Sequence, residues 1–174
     1  MSKALKIGWL AGIMDGEGCI TLSLGADRPR GHMHLCISFA NTSVLVVEKV
    51  QRILCELGVA YKTYTANKVG WKEIHQVKVM QIDSARIVLE VLEPHLTCKR
   101  EQARLMLEFL SERRSGKRKA YTANCHALCA GIRALNHRGS VETVRPPRES
   151  VKIQSELAGD SKSAAEMSAP ARVN

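Results

Sequence analysis

The sequence predicts an α+β domain in which two β-hairpins form an antiparallel sheet with helices on one face. Two patterns support this fold class. In two pairs of short segments, apolar and polar residues alternate, as they do in half-buried strands. In the segments around them, apolar residues recur every three or four positions, as they do in amphipathic helices. A chain of 174 residues, ordered as helix, hairpin, helix, hairpin and further helices, can bury one sizeable core.

The first helix is predicted at residues 4–16, where Ala4, Gly8, Gly12 and Gly16 recur every four positions. Each glycine lowers helix stability by about 1 kcal/mol relative to alanine. Three glycines on one side of a helix therefore indicate that another helix approaches its backbone closely. That helix belongs either to the same domain or to a second copy of the chain.

Two hairpins follow, at residues 19–39 and 59–82, each with one apolar and one polar face. In the first hairpin, Leu24 is expected on the apolar face with Ile20 and Leu22, and residues 25–31 form the turn. The polar face and its flanking loops carry Thr21, Ser23, Arg28, Arg30, His32, His34, Ser38, Lys68, Lys72, Gln76 and Lys78. Such a face either stays solvated or, as a twisted β-ribbon, fits the major groove of DNA.

The remaining helices are predicted from their hydrophobic spacing. They span residues 44–57, a short segment capped by Asp83 or Ser84 that ends at Leu92, and residues 99–112 and 121–135. A capping segment at residues 41–43 precedes the first of them, Gly58 ends it, and a basic linker is expected at residues 111–119. The end of the chain loses this periodicity, so residues 155–174 are predicted to be disordered and residues 1–154 to form the domain.

The net charge of +9 lies on the first 150 residues, because residues 151–174 contain three basic and three acidic side chains. A domain this basic favours an anionic partner over the alternative of a basic structural protein without one. Nucleic acid is the first candidate for this partner and a membrane surface is the second.

The six cysteines are typical of reduced core thiols in an intracellular protein, without distinguishing nucleus, organelle and prokaryotic cytoplasm. Cys125, His126 and Cys129 lack a second metal-binding pair, so zinc is not expected. Neither a signal peptide nor a membrane-spanning segment is expected.

Residues 15–18, Asp-Gly-Glu-Gly, end the first helix, where the helix dipole is negative and disfavours carboxylates. A tight turn is one explanation. The other is that two copies pack through their glycines, so that four carboxylates from Asp15 and Glu17 meet at a two-fold axis and bind divalent cations, Mg²⁺ above all. Such ions, facing the phosphates of a duplex, would support phosphodiester hydrolysis.

Residues 10–18, LAGIMDGEG, resemble the LAGLIDADG motif of homing endonucleases. The predicted order of elements between residues 4 and 135 is similar to the family's αββαββα core with its saddle-shaped antiparallel sheet. Residues 132–136 and 142–145 resemble the C-terminal segment of the single-motif, homodimeric members. The resemblance implies an intron-encoded, site-specific double-strand DNA endonuclease of the homing type. It would act as a homodimer on a long target site, with neither a membrane nor a small-molecule substrate as a partner.

The resemblance also implies roles for individual residues. Glu17 would bind the catalytic divalent ion together with the backbone carbonyl of Gly16, Asn41 or its neighbour Thr42 would place the water, and Lys99 would contact the scissile phosphate. The metal would be Mg²⁺, with Mn²⁺ able to replace it and Ca²⁺ binding without supporting cleavage.

One departure concerns a basic residue that some members carry one helical turn after the water-placing position. Here that turn holds Leu45 and Val46, and Lys49 is a weak substitute. DNA contacts are expected from Ser23, Arg28, Arg30, His32, His34, Ser38, Gln76 and Lys78 on the polar face and its turn, and from Lys117, Arg118 and Lys119 through phosphates.

Two other functions occur on the same fold: an RNA maturase that assists group I intron splicing, and a DNA-binding regulator that does not cleave. Glu17 and Lys99 favour the endonuclease, because a protein that only binds nucleic acid has no need of an acid facing phosphates.

Overall fold

The first helix, α1, spans Lys3–Glu17 in the computed structural model, which describes residues 2–25, 32–67, 69–113 and 120–137. The hydroxyl oxygen of Ser2 accepts a hydrogen bond from the backbone N–H of Leu5 (3.3 Å) and caps the helix. One side of α1 is buried through Ile7, Leu10, Ala11 and Met14.

The opposite side of α1 carries the glycines and is exposed. A Cβ atom added at Gly8, Gly12 or Gly16 would meet no atom within 4 Å. Among the described residues, nothing therefore packs closely on these glycines, and the alternative of a tight contact within the same domain is wrong for this part of the chain. This surface remains accessible to another molecule.

The helix passes into the first strand at Gly18 without an intervening loop. A Cβ atom at Gly18 would lie 2.6 Å from the carbonyl oxygen of Met14, so a larger residue could fit only if the backbone moved. The backbone N–H of Gly18 donates to that same carbonyl.

The sheet has four antiparallel strands in the described part of the chain. They are β1 (Gly18–Gly25), β2 (His32–Asn41), β3 (Lys62–Ala66) and β4 (Ile74–Val79), in the order β1-β2-β4-β3. Both predicted hairpins are confirmed. They join through β2 and β4, where Ile37 lies opposite Val79 and Ser38 opposite Lys78.

The apolar face of the sheet forms part of the core, as predicted. Its buried residues are Ile20, Leu22, Met33, Leu35, Ile37, Phe39, Val77 and Val79. The prediction for Leu24 is wrong: this side chain is 43% exposed, because it lies next to the end of β1, where the apolar face is not covered.

The other helices in the described residues are α2 (Val44–Glu56), α3 (Ile82–Leu92), α4 (Arg100–Glu112) and α5 (Ala123–Asn136), with a 3₁₀ turn at Glu93–His95. The order of elements from α1 to α3 is αββαββα, and α4 and α5 follow it. This order confirms the predicted α+β class. Gly58, with a φ of 70°, follows the end of α2.

The predicted start of α3 and the predicted start of the basic linker at Ser111 are wrong, whereas the predicted end of α4 at Glu112 is confirmed. Gln81 is the N-cap of α3, because the buried hydroxyl of Ser84 accepts a hydrogen bond from the N–H of Ala60 (3.1 Å) and Asp83 already lies in the first turn. Ser111 belongs to the last turn of α4 rather than to a linker, and its hydroxyl donates to the carbonyl of Glu108 (2.9 Å).

Helix α5 packs against α4 and against β1. The thiol of Cys129 donates to the carbonyl of Leu22 (3.2 Å), and the side-chain amide of Asn136 donates to the carbonyl of Ile20 (2.9 Å). Burial raises the pKa of the Cys129 thiol, an effect that Arg133 opposes, so the protonated donor form is favoured. These bonds satisfy carbonyls on the outer edge of β1, the kind of edge that otherwise pairs with other chains.

All six cysteines lie in the described residues and are free thiols. Only Cys125 and Cys129 are buried, whereas Cys55 and Cys98 are exposed, so the prediction of core thiols is wrong for the latter two. No helix in the described ranges has the length and hydropathy needed to cross a membrane.

Several predictions concern residues outside the described ranges. They are the turn with Arg28 and Arg30, Lys68, the basic residues Lys117, Arg118 and Lys119, the segment 155–174 and the domain boundary at residue 154. These stay predictions.

Candidate functional site

The carboxylate of Asp15, in the last turn of α1, binds the start of α4. It accepts hydrogen bonds from three consecutive backbone N–H groups, those of Thr97 (2.7 Å), Cys98 (3.1 Å) and Lys99 (2.9 Å). The first N–H groups of a helix lack partners within the helix and carry partial positive charge. The amides of the N-cap residue Lys99 and of the two residues before it therefore supply the positive partner that the sequence requires for Asp15.

Lys99 occupies the N-cap position of α4, yet its ammonium group reaches back to α1. The Nζ atom donates to the backbone carbonyl of Asp15 at 2.5 Å. A lysine is unfavourable at the start of one helix but favourable at the end of another, where carbonyls lack partners and the dipole is negative. This contact explains why a cation is found at the start of α4.

Glu17 is the last residue of α1, and its environment differs from that of Asp15. Its side chain is exposed, and no hydrogen bond or ion pair to another described residue holds it. The oxygens of Asp15 already bind three amides, so Asp15 is less available than Glu17 for the predicted carboxylate cluster, which stays a prediction. Glu17 is the acid of this pair whose oxygens stay available to a ligand.

Asn41 ends β2, close to the junction between α1 and β1, because Phe39 lies opposite Gly18 in the sheet. Its side-chain oxygen accepts a hydrogen bond from the N–H of Ser43 (2.9 Å) and so prepares the start of α2. We call the group of Asp15, Glu17, Asn41 and Lys99 the motif end of the sheet. The structure brings these predicted residues to one end of the molecule.

Within one chain, the motif end supplies only some of the oxygen ligands that a hard divalent cation needs. The Glu17 carboxylate and the Gly16 carbonyl are oxygen ligands of the kind that Mg²⁺ prefers. No group of three or more His, Cys, Asp or Glu residues that could hold a metal ion occurs in the described part of the chain. Further ligands would have to come from a second chain, a nucleic acid or water.

The predicted polar face of the sheet is a continuous surface. Ser23 lies opposite His34 and Gly25 opposite His32, while Ser38 lies between Cys19 and Lys78 on the neighbouring strands. Residues directly opposite each other in antiparallel strands share a face. Ser23, His32 and His34 are exposed, whereas Ser38, Gln76 and Lys78 are partly buried.

Sequence reasoning missed two residues of this face, Lys62 and Tyr64, which lie on β3 opposite Lys78 and Gln76. The Nζ atom of Lys78 lies 4.6 Å from the centre of the Tyr64 ring, a cation–π contact. The alternation at residues 62–66 marks these side chains as sharing one face, but only the register with β4 shows which face it is.

The thiol of Cys36 lies on the same face, opposite Thr21. Burial raises the pKa of this thiol, an effect that the Lys78 ammonium opposes and the neighbouring Cys19 reinforces. The neutral thiol is therefore favoured, and Cys36 adds no negative charge to a basic surface.

A second carboxylate helps to hold the start of α4. Glu93 accepts hydrogen bonds from the Nε atoms of Arg100 (2.9 Å) and Arg104 (3.0 Å), which lower its pKa. Both arginines are about half exposed, so these ion pairs contribute little to stability by themselves.

Known proteins resemble this chain in sequence and in fold. The family model described as a LAGLIDADG-like domain matches residues 4–93. A comparison with curated proteins found no significant match. Among solved structures, the homing endonuclease I-CvuI in complex with the I-CreI target is 22% identical, with a TM-score of 0.62, over 76% of this chain and 82% of that chain.

Two further structures have the same fold. The archaeal intron-encoded homing endonuclease I-Vdi141I complexed with DNA is 15% identical, with a TM-score of 0.63, over 79% of this chain and 88% of that chain. The LAGLIDADG homing endonuclease I-GzeII in complex with its DNA target is 12% identical, with a TM-score of 0.55, over 74% of this chain and 43% of that chain. The match of the family model to more than half of the sequence shows that this chain belongs to the LAGLIDADG family.

Proposed function

We propose that two copies of this chain form a site-specific double-strand DNA endonuclease of the homing type, which hydrolyses phosphodiesters with divalent cations. The observation that carries this proposal is the difference between the two acids of the motif. Asp15 is satisfied by three amides, whereas Glu17 is exposed and has no partner among the described residues. An acid left free beside a polar, basic face suits metal-assisted chemistry on a phosphate.

The exposed glycines of α1 support the homodimer. Gly8, Gly12 and Gly16 leave the backbone bare on one side of the helix, and Leu5 at the start of α1 is 59% exposed. A second α1 could approach this side closely, which would bring two copies of Glu17 together. In addition, the chain covers 82% of I-CvuI but only 43% of I-GzeII, a length that leaves room there for a second domain of this size.

The proposed reaction uses four groups of each chain. The Glu17 carboxylate and the Gly16 carbonyl would hold Mg²⁺, which supplies Lewis-acid polarisation of a phosphate oxygen and lowers the pKa of a bound water. Lys99, fixed against the Asp15 carbonyl, would donate to a phosphate oxygen on which charge develops. Asn41 would orient water through the part of its amide that does not bind Ser43. Structures of I-CvuI with a DNA target were obtained in the presence of Mg and of Ca, which supports the use of divalent ions.

The polar face would lie in the major groove. A two-stranded ribbon fits this groove, and the side chains of Ser23, His34 and Gln76 carry donors and acceptors for base edges. Lys62 and Lys78 would neutralise phosphates. Arg28, Arg30 and residues 117–119 belong to the proposal on the sequence alone. An intron-encoded origin is supported only by the description of I-Vdi141I.

The test begins with a random DNA library, Mg²⁺ and sequencing of the cut ends, which identifies the target. Glu17→Gln then keeps the shape of the side chain but removes its charge. Binding in a gel shift should persist, while cleavage should fall about a thousandfold, which corresponds to about 4 kcal/mol of transition-state stabilisation. Glu48→Gln changes an exposed glutamate of α2 in the same way and should leave cleavage unchanged.

Cleavage by Glu17→Gln at the wild-type rate would refute the proposal. Efficient assistance of group I intron splicing by both proteins, without DNA cleavage, would instead support the maturase. Specific binding without cleavage by the wild-type protein would support the regulator.

A further inference from the structure

The segment between α4 and α5 reaches back to the first hairpin through Tyr121. The phenol oxygen of Tyr121 accepts a hydrogen bond from the backbone N–H of Met33 at 3.1 Å. The ring stacks on Phe109 of α4, with 6.4 Å between centroids and 18° between planes. The guanidinium carbon of Arg113 lies 4.5 Å from the ring centre. Tyr121 is therefore fixed from the hairpin and from α4.

Ring contacts continue from Tyr121 to the polar face. His32 meets Tyr121 edge-on at 6.5 Å, and His34 meets His32 edge-on at 5.6 Å. His126 of α5 also meets Tyr121 edge-on, at 6.5 Å. We call these residues, His32, His34, Phe109, Arg113, Tyr121 and His126, the Tyr121 cluster. They connect the joint of α4 and α5 to two exposed histidines on the polar face.

Most of the Tyr121 cluster lies outside the segment that the family model matches. Phe109, Arg113, Tyr121 and His126 lie after the segment that the family model matches, which ends at residue 93, whereas His32 and His34 lie inside it. The cluster does not qualify as a metal centre, since the described residues include no suitable group of ligands. The contacts instead restrict how the two imidazole rings can turn.

We propose that Tyr121 is a positioning residue for DNA recognition: it fixes the orientation of His32 and His34 and so sets the base preference of this part of each half-site. The inference rests on the proposed function. An imidazole ring presents a donor and an acceptor in fixed directions, so its orientation decides which base edge it can bond. Edge-to-face contacts with aromatic rings favour particular orientations.

The experiment measures binding to a library in which each position of the identified target is varied. His32→Ala and His34→Ala define the base positions that the two histidines read. Tyr121→Leu removes the ring and should relax preference at these same positions by about tenfold, with little change elsewhere. Tyr121→Phe keeps the ring but loses the acceptor for Met33, and should relax the same positions by about two- to threefold.

Tyr61→Leu is the matched control. Tyr61 is also a partly buried tyrosine, and its hydroxyl makes a hydrogen bond with the thiol of Cys55 (3.4 Å), away from the polar face. A general loss of stability should act alike in both leucine variants, and melting temperatures of all the variants record it. Position-specific relaxation should occur only for Tyr121, and cleavage at saturating DNA should stay within about twofold of wild type.

A uniform loss of affinity across all sequences, or an unchanged preference in Tyr121→Phe and Tyr121→Leu, would overturn the inference. So would the absence of any position-specific effect in His32→Ala and His34→Ala. If Tyr121→Leu does not fold, Tyr121→Phe decides between these results. A wild-type protein that binds no specific DNA would refute the proposed function itself, which distinguishes the two failures.

Discussion

The motif end and the Tyr121 cluster lie at opposite ends of β2, at Asn41 and at His32, and are held by different forces. At the motif end, Asp15, Lys99 and Asn41 are fixed by hydrogen bonds to backbone groups, at distances between 2.5 and 3.1 Å. In the Tyr121 cluster, rings meet with centroids 5.6 to 6.5 Å apart, and a hydrogen bond from Met33 anchors the tyrosine.

This difference matches two different demands. A hydrogen bond to the backbone has a narrow range of lengths and angles, so it fixes a group closely. Reactive groups need positions accurate to about 0.5 Å. Ring contacts favour an orientation without fixing a distance as closely, and the orientation of an imidazole ring is what selects the base edge that it can bond. Under the proposed function, changes at the motif end should affect cleavage, and changes in the Tyr121 cluster should affect base preference.

The largest effect is expected from Gly12→Leu, which should remove the proposed dimer. The leucine would keep two α1 helices apart, and loss of the second chain should weaken binding by about a hundred- to ten-thousandfold. Because a Cβ at Gly12 meets nothing within 4 Å, the melting temperature of the single chain should hardly change. Sedimentation with target DNA gives the measurement. As a control, Glu90→Leu adds the same side chain at an exposed position of α3 and should leave the dimer intact. A Gly12→Leu protein that still forms dimers would contradict the proposed interface.

A smaller effect, confined to the motif end, is expected from Asp15→Asn. The change weakens the contacts to the three amides, so α4 and Lys99 should shift relative to Glu17. Cleavage should fall about ten- to a hundredfold because a displacement of about 1 Å is enough for such a loss. Base preference should not change.

A double-mutant cycle shows whether Asp15 acts through Lys99. The cleavage losses in Asp15→Asn and Lys99→Met should combine to less than their sum in free energy, because the second change removes a group that the first has already displaced. Full additivity would mean that Asp15 acts on cleavage by another route.

The smallest of these effects is expected from Lys62→Met on the polar face, which should alter affinity without altering either end. If each subunit neutralises about five phosphates, the slope of log K against log salt should be near −9 for the dimer. Lys62→Met should reduce this slope by about one per subunit at every sequence. Lys3→Met, at the start of α1 and far along the helix from Glu17, should leave the slope unchanged. A sequence-dependent loss for Lys62→Met would show that this lysine reads bases.

Local patterns predicted most of the fold, because hydrophobic periodicity depends on neighbours in the chain. The two hairpins and the helices were recognisable in this way, with ends within a few residues. Contacts between residues far apart in the chain could not be predicted from these local patterns. The cap of α3 was misplaced because Ser84 binds Ala60, and Lys62 was missed because its face depends on the pairing of β3 with β4.

The candidate site shows the same limit. The resemblance implied that Glu17 and Lys99 serve one catalytic site, and Lys99 does contact Asp15, two residues before Glu17. Their catalytic roles stay predictions. The partner of Asp15 lies more than 80 residues along the chain, in three amides that no side-chain pattern records. Backbone groups at the start of a helix are binding sites that a sequence of side chains does not spell out.

The direct passage from α1 into β1 at Gly18 has a consequence for the length of the DNA site. The helix that would form the two-fold contact and the strand that would read the groove are joined without a loop. In the proposed dimer, two such units would hold their strands at a fixed distance and a fixed rotation about the DNA axis. One base pair added between the half-sites moves them apart by about 3.4 Å and turns them by about 35°. The protein would therefore select target sites by the number of their central base pairs, even though it need not read the identity of those base pairs.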